Sequence, residues 1–189
     1  MSTRNGVEHE SDPELRFEPL FQANYQAIYR YCVRRLGRAD AEDAAADVFA
    51  VAWRRIDQMP AGESSRAWLF GVAHRVVGNQ FRSRQRRTGL SARLGALRGS
   101  ELGVDEIESS QSGDVDLLLM ALDELSSSDR ELLRLSSWDG LTRSEIAYVL
   151  GIRENAVDQR LHRARARLKT RFETLDGEAS HTETKEAPA

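Results

Sequence analysis

The sequence predicts an all-α protein: two small helical domains joined by a flexible acidic linker. Apolar residues recur every three or four positions in two separate blocks, as in amphipathic helices, and no segment reads as a β-strand. A stretch rich in glycine, serine and acidic residues lies between the blocks. With 189 residues, the chain has the length of one ordinary domain or two small ones.

Three helices are predicted in the first block. Their apolar stripes occupy residues 17–36, 41–56 and 69–81. Gly37 is expected to end the first helix, and Asp40 is the candidate N-cap of the second. Because such helices bury their stripes only against one another, we expect a helical domain over residues 17–88. Residues 1–16 are expected to form a disordered arm.

The second block, residues 114–172, follows a linker predicted at residues 89–113. Two sequence patterns in this block have the form of a capping box, which starts a helix. They are Ser128 with Glu131 and Thr142 with Glu145. The last apolar stripe ends at Phe172, so residues 173–189 are expected to be a disordered acidic tail.

Charge is segregated along the chain, although its net charge is only -3. Residues 17–88 carry 12 basic and 7 acidic side chains, and residues 130–172 carry 10 and 5. Residues 99–129 hold nine acidic side chains and no basic one. Screening over about 8 to 10 Å isolates distant segments. Local charge is therefore a better guide to binding partners than the net charge.

Several classes of protein are disfavoured by composition. Cys32 is the single cysteine, so no internal disulfide forms, and the four histidines lack metal-ligand spacing. We therefore expect no metal and no cofactor. No apolar run approaches the roughly 18 residues of a membrane span, and the N-terminus lacks the apolar run of a signal peptide. We expect no membrane insertion and a cytoplasmic location.

The segment from Leu141 to Leu168 has the layout of a helix-turn-helix: a short capped helix, a turn containing Gly151 and a longer amphipathic helix. An ordinary solvated basic face is the alternative for the long helix, and the capped helix upstream favours DNA binding. The polar residues predicted to face bases or phosphates are Asn155, Asp158, Gln159, Arg160, His162, Arg163 and Arg167.

A cationic ridge is predicted on the third helix of the first block. Its members, three or four residues apart, are Arg75, Asn79, Arg82 and Arg86. Trp68, Phe70 and Phe81 are interleaved with it, and exposed aromatic rings beside cations suit unstacked single-stranded bases. The alternative places Trp68 and Phe81 in the core, and for Phe81 the core position is the one expected. A solvated charged face is the alternative interpretation of the ridge.

The helix from about residue 40 to residue 57 carries four acidic residues followed by two aromatic ones. These are Asp40, Glu42, Asp43, Asp47, Phe49 and Trp53. A hydrolytic carboxylate pair or a metal site is one interpretation. Three of the acids lie in the first turn, however, where they complement the helix dipole. An acidic surface with aromatic residues fits a basic protein partner better.

Three segments in register resemble bacterial sigma factors of the extracytoplasmic-function (ECF) class. They are DAEDAAADVFAVAWRR, SSRAWLFGVAHRVVGNQFR and ALDELSSSDRELLRLSSWDGLTRSEIAYVLGIRENAVDQRLHRARARL. The resemblance covers about residues 17–88, as region 2, and 114–172, as region 4. It implies a non-enzymatic subunit that binds core RNA polymerase, directs it to the -35 and -10 promoter elements and helps melt the duplex. It also implies an anti-sigma factor as a partner.

The resemblance assigns roles to named residues. The set implied to bind the clamp helices of the largest polymerase subunit is Asp40, Glu42, Asp43, Asp47, Phe49 and Trp53. The set implied to bind the -10 element is Ser64, Ser65, Arg66, Trp68, Arg75, Asn79, Arg82 and Arg86. The helix-turn-helix residues are implied to bind the -35 element, and the polymerase flap is a further expected contact.

This chain departs from the family pattern at two places. Ala46 and Asp47 stand where a glutamine and a glutamate are usual, and Arg153 and Asp158 replace a serine-like cap and a basic residue. Asp158 is a candidate acceptor for a cytosine amino group. Two other functions stay open from the residues alone. One is a stand-alone helix-turn-helix regulator, and the other is a carboxylate-dependent hydrolase using Asp43 and Asp47.

Overall fold

The structure, a computed structural model, describes residues 13–60, 62, 64–92 and 113–185, with side chains for all of these except 84–92 and 179–185. Within these residues every regular element is helical, as the sequence predicts. The α-helices are α1 (Pro13–Leu36), α2 (Arg38–Arg54), α3 (Ser64–Ala92), α4 (Gly113–Asp123), α5 (Ser127–Ser137), α6 (Arg143–Leu150) and α7 (Glu154–Lys185). A short 3-10 helix follows α2 at Ile56–Gln58. The chain divides into two compact units, the first containing α1 to α3 and the second α4 to α7.

The core of the first unit lies where α1, α2 and α3 pack against one another. The stripe predicted on α2 is confirmed, because Ala41, Ala45, Val48 and Ala52 are almost completely buried. Small side chains at these positions allow a neighbouring helix to approach closely. On α1 and α3, Tyr31 and Phe70 are fully buried, and their rings meet edge to face with centroids 5.6 Å apart.

In the second unit, α7 contacts α4, α5 and α6. Ile146 of α6 and Val157 of α7 are both buried, which fixes the two helices of the helix-turn-helix against each other. Gly151 ends α6 at φ 65°, a left-handed conformation that glycine adopts without steric cost. Ile152 N–H then donates to the Ala147 carbonyl at 3.0 Å. The predicted helix-turn-helix layout is therefore present and has a tightly bonded turn.

The capping predictions had mixed outcomes. The Thr142 and Glu145 box is confirmed: Glu145 N–H donates to Thr142 Oγ1 at 3.3 Å, and Thr142 N–H donates to Glu145 Oε2 at 2.7 Å. The prediction of Asp40 as a cap is wrong. Helix α2 already begins at Arg38 after Gly37, with no side-chain cap bond, so Asp40 lies inside the first turn.

The predicted cap of α5 is also displaced. Ser126, not Ser128, is the N-cap, and its Oγ accepts the backbone N–H of Asp129 at 3.2 Å. The sequence Ser126-Ser127-Ser128 offers three equivalent hydroxyls. A side chain caps only where the backbone is not yet helical, and the helix begins at Ser127.

Three helices extend several residues beyond the predicted domain limits. Helix α1 starts at Pro13, inside the predicted arm, since proline is well tolerated in the first turn of a helix. Helix α3 continues through Ala92 into the predicted linker. Helix α7 continues to Lys185, although the sequence predicts disorder from Glu173. The remainder of the predicted arm, linker and tail lies outside the described residues.

The extension of α7 has a local cause. Phe172 and Leu175 are half-buried and continue the apolar stripe past the predicted end. Lys169 Nζ also lies 3.7 Å from Glu173 Oε1, four residues further along the helix. Apolar packing and a helical ion pair therefore offset the polar composition of this segment.

Candidate polymerase and nucleic-acid surfaces

The first surface is the acidic α2 surface, formed by Glu42, Asp43, Asp47 and Trp53. All four side chains are exposed, and at about 100° per residue they fall on one side of α2. Trp53 is 40% exposed, unusually open for a tryptophan. Gln80 of α3 donates to Asp47 Oδ2 at 3.4 Å. The chain thus presents negative charge next to a large aromatic ring.

Two residues of the predicted polymerase-binding set, Phe49 and Asp40, are less exposed than the four residues of this surface. Phe49 is only 5% exposed, so its placement on the surface by sequence is wrong. Asp40 is half-buried at the start of α2. Phe49 is buried because α1 covers it with aromatic rings, including that of Phe21 at a centroid distance of 4.8 Å.

Trp53 is held by the same aromatic cluster. Its ring meets the ring of Phe17 edge to face at 5.1 Å, and Phe17 in turn contacts Phe49. Such contacts restrict the rotation of Trp53. The cluster below the surface therefore orients the exposed ring above it.

The second surface is the α3 ridge, formed by Arg75, Asn79 and Arg82, all of which are exposed as predicted. Arg82 Nη2 donates to Asn79 Oδ1 at 2.6 Å. Arg86, the fourth predicted member, lies in α3, and its side chain falls outside the described part. Arg75, Asn79 and Arg82 therefore form a polar and cationic line along the part of α3 whose side chains are described.

The predicted residues at the start of α3 lie next to the turn at Gly62. Ser64 is exposed, and Ser65 Oγ donates to the Gly62 carbonyl at 2.8 Å. The Arg66 guanidinium lies over the Phe70 ring, 5.1 Å from its centroid. The start of α3 therefore presents the hydroxyls of Ser64 and Ser65 and the guanidinium of Arg66, which is in cation–π contact with Phe70.

The aromatic residues of α3 depart from the prediction at Phe70 and Phe81, whereas Trp68 takes the core position that the alternative interpretation gave it. Trp68 is 7% exposed and Phe70 is fully buried, so neither ring lies open to a base. Phe81, which was expected in the core, is 43% exposed. Val77 is the last buried residue of α3 among those with described side chains, and Phe81 lies one turn beyond it.

The third surface lies on α7. Val157, Leu161 and Ala164 are buried against the rest of the unit. The opposite face is exposed and polar, as predicted, and it consists of Asn155, Gln159, Arg160, His162 and Arg163. We call these five residues the α7 recognition face. They have the hydrogen-bonding groups that contact base edges and phosphates in a major groove.

Arg167 lies on the same helix but has an acidic partner. Its Nη1 is 2.5 Å from Asp129 Oδ2 at the start of α5, and the Asp129 side chain is only 14% exposed. One turn further, Arg171 pairs with Glu124. These partners lie in the α4–α5 region, far away in sequence, so helical periodicity alone does not reveal them. Arg167 and Arg171 are therefore both ion-paired within the second unit.

Asp158, the second departure from the family pattern, is also paired. Its Oδ2 lies 2.8 Å from Arg143 Nη1 on α6. From sequence, Asp158 is expected to contact DNA. The helix-turn-helix itself supplies a cation for it.

Comparison with known proteins decides between the functions left open by the sequence. The Sigma-70 region 2 family matches residues 20–87, and the Sigma-70 region 4 family matches residues 116–168. The RNA polymerase sigma factor NccH of Alcaligenes xylosoxydans is 32% identical over 163 residues, covering 82% of this chain and 86% of its own. The chain belongs to the ECF class of bacterial RNA polymerase sigma factors.

Other sigma factors show the same relationship. YlaC of Bacillus subtilis is 31% identical, covering 80% of this chain and 89% of its own. The structure of CnrH in complex with the cytosolic domain of CnrY matches with a TM-score of 0.60 at 22% identity, covering 88% of this chain and 92% of CnrH. RpoE of Bartonella quintana, in complex with the anti-sigma factor NepR, matches with a TM-score of 0.58 at 22% identity, covering 83% and 96%. These two structures support the fold.

The sigma factor directs RNA polymerase to promoters and is not itself an enzyme. The hydrolase interpretation of Asp43 and Asp47 is therefore set aside, and nothing in the comparisons favours a stand-alone regulator. Among the residues with described side chains, no three His, Cys, Asp or Glu residues are grouped as metal ligands. None of the described helices combines the length and hydropathy of a membrane span.

Proposed function

We propose that the two units of this sigma factor divide the work of promoter recognition. The first unit binds core polymerase and the -10 element, and the second binds the -35 element. The observation that carries this proposal is the α7 recognition face: five exposed polar side chains lie opposite a buried stripe, on the second helix of a helix-turn-helix. We also propose a cytoplasmic location, where the polymerase acts.

The acidic α2 surface is the proposed contact with the clamp helices of the largest polymerase subunit. Its carboxylates complement a basic partner, and Trp53 supplies the large aromatic contact that often dominates binding energy at an interface. Asp40 contributes at the edge of this surface. Phe49 acts from below, by supporting the ring of Phe17 against Trp53. The flap is a second proposed contact with the polymerase.

The α3 ridge and the start of α3 are the proposed site for the -10 element. Arg75, Asn79 and Arg82, followed by Arg86, follow the backbone of the strand. Ser64, Ser65 and Arg66 lie at the turn where an extruded base is captured. Unstacking a base costs about a few kcal/mol, which contacts to the single strand recover. Trp68 supports this site from the core, since it is buried.

The α7 recognition face is the proposed reader of the -35 element. Asn155, Gln159, His162 and Arg163 face base edges, and Arg160 lies on the flank where it meets a phosphate. Arg167 is excluded from this set because its guanidinium is paired with a nearly buried Asp129. Binding a phosphate there would leave that carboxylate unpaired, which is unfavourable.

An anti-sigma factor is a further proposed partner. RpoE of Bartonella quintana forms a complex with such a protein. In this chain, the exposed Trp53 and the surrounding acids form a surface that a basic, partly apolar partner would cover. Such a partner would compete with polymerase for the first unit.

The purified full chain, mixed with core RNA polymerase, tests the proposal. We expect saturable association with core and run-off transcripts from a subset of a promoter library, with selection at two separated sequence elements. The chain alone should show little sequence preference when it binds DNA, since promoter binding in this scheme requires the polymerase. Specific operator binding by the free chain, with no association with core, would support the stand-alone regulator instead.

A further inference from the structure

A salt bridge joins the two helices of the helix-turn-helix on the side of α7 that carries Asp158. Arg143, the first residue of α6, approaches Asp158 with 2.8 Å between Nη1 and Oδ2. The side chains of both residues stay partly open, at 66% for Arg143 and 49% for Asp158. Gln159, next to Asp158, belongs to the α7 recognition face. An acid therefore lies beside the surface that is proposed to meet the negatively charged backbone of DNA.

The backbone brings this pair together. Gly151 and the hydrogen bond from Ile152 N–H to the Ala147 carbonyl fix the turn, and the buried residues Ile146 and Val157 fix the crossing of the helices. The start of α6 is itself fixed by the Thr142 capping box. Forming the salt bridge therefore orders only two side chains and no additional backbone.

Stability does not account for the pair, because an exposed salt bridge contributes little to folding. The salt bridge has a larger effect on the orientation of the Arg143 guanidinium than on stability. Arg143 has five N–H donors in a planar fork, and the bond to Asp158 uses Nη1. With most of its surface exposed, the rest of the fork stays available to a second acceptor. A carboxylate and a phosphate can then bind the same guanidinium on different edges.

We propose that Asp158 is a positioning residue, which holds Arg143 toward a backbone phosphate of the -35 element and does not read a base. The proposal rests on the assignment of the helix-turn-helix to the -35 element. The pairing also removes an electrostatic conflict: Asp158 carries a charge that would repel phosphates if Arg143 did not neutralise it. Without Arg143, Asp158 becomes an unfavourable group at the DNA surface.

The experiment uses the full-length chain bound to core polymerase and a library of randomised promoter-length duplexes. The variants are Arg143→Ala, Asp158→Ala and the double variant, with Gln159→Ala as the control for a residue that faces base edges. Base preference at each position of the selected upstream element is measured first. Affinity for the selected duplex is then measured over a range of salt concentrations. Thermal unfolding is recorded for each variant, and we expect little change because both side chains are exposed.

For Arg143→Ala, we expect affinity to fall by about the same factor for every sequence. The slope of log affinity against log salt should become shallower by about 0.9, since one phosphate contact is lost. Asp158→Ala should leave base preference unchanged at every position, with affinity within about threefold of the unmodified protein. In the Arg143→Ala background, Asp158→Ala should raise affinity more than about fivefold, because couplings between contacting charges are of this size.

Two results would overturn the inference while leaving the proposed function intact. Loss of preference at one base pair on Asp158→Ala, by about tenfold or more, would make Asp158 a base reader. An equal effect of Asp158→Ala in both backgrounds would show that the two residues act independently. If the unmodified holoenzyme selects no upstream element at all, the -35 assignment fails, and this inference fails with it.

Discussion

The helices α3 and α7 each carry several arginines, and these arginines differ in how they are paired. On α3, Arg75 and Arg82 form no ion pair within the described residues, and Arg82 bonds only the neutral Asn79. On α7, Arg167 and Arg171 each bind an acid of the α4–α5 region. A paired guanidinium must give up its carboxylate before it can bind a phosphate. Arg167 and Arg171 are therefore less available to a phosphate than Arg75 and Arg82.

The difference also divides α7 itself. Its first half carries the exposed recognition face, in which Arg160 and Arg163 have no acidic partner within the described residues. Beyond Ala164, Arg167 and Arg171 are each paired with an acidic side chain. On this division, exposed and unpaired side chains contribute to binding, and paired ones contribute to folding.

The largest effect is expected for Arg163→Ala. A side chain that makes a bidentate contact with a base contributes about 1–3 kcal/mol of discrimination, so -35-dependent run-off transcription should fall by about 10- to 100-fold. Thermal stability should not change, because Arg163 is exposed. Arg171→Ala is the matched control on the same helix and should retain most of the transcription. Similar losses for both variants would contradict the division of α7.

The next largest effect is expected for Trp53→Ala. An exposed tryptophan at the centre of an interface often contributes about 2 kcal/mol or more, so affinity for core polymerase should fall by about 30-fold in a binding assay. Trp138 of the second unit is 38% exposed against 40% for Trp53, which makes Trp138→Ala a control of equal size and exposure. If Trp53→Ala bound core polymerase with unchanged affinity, the acidic α2 surface would not be part of the interface with polymerase.

A smaller effect is expected for Arg75→Ala on the α3 ridge. Loss of one unpaired cation that follows a single strand should reduce promoter opening by about three- to tenfold, with a weaker dependence on salt. Permanganate reactivity of unpaired thymines measures the opening directly. Arg30→Ala removes an exposed arginine from α1 of the same unit and should leave opening unchanged. Equal losses for the two variants would indicate a general charge effect.

The smallest effect on transcription is expected for Arg167→Ala. Asp129 would lose its cation while it stays largely buried, so the second unit should be destabilised by about 1 kcal/mol. Urea unfolding should show a lower midpoint at an unchanged slope. Transcription at a temperature where the variant is folded should change by less than about twofold. If Arg167→Ala strongly reduced transcription without lowering stability, Arg167 would instead be a DNA-binding residue.

Helical periodicity was sufficient to predict the fold and the exposed face of α7. The stripe of Val157, Leu161 and Ala164 places the polar residues between them on the opposite side, and a side chain on a regular helix has few other directions. The Thr142 and Glu145 box was also predictable, because both partners lie within one turn. Most features that depend on local geometry were accessible from sequence, although neither Asp40 nor Ser128 caps its helix as expected.

Features that depend on distant neighbours were not. Trp68 and Phe81 are both aromatic residues of α3, and only the extent of packing around the helix buries the first and exposes the second. The pairs Arg167 with Asp129 and Arg143 with Asp158 join residues from different helices. Their charges are visible in the sequence, whereas the packing that brings them together is not.

The length of α7 has a practical consequence for measurement. Its 32 residues, at a rise of about 1.5 Å each, span about 48 Å from Glu154 to Lys185. A fluorescent dye attached near Lys185 is therefore remote from the groove-binding end, yet connected to it through an uninterrupted helix. Energy transfer from such a dye to a labelled duplex would report how the helix docks without disturbing the residues that make contact.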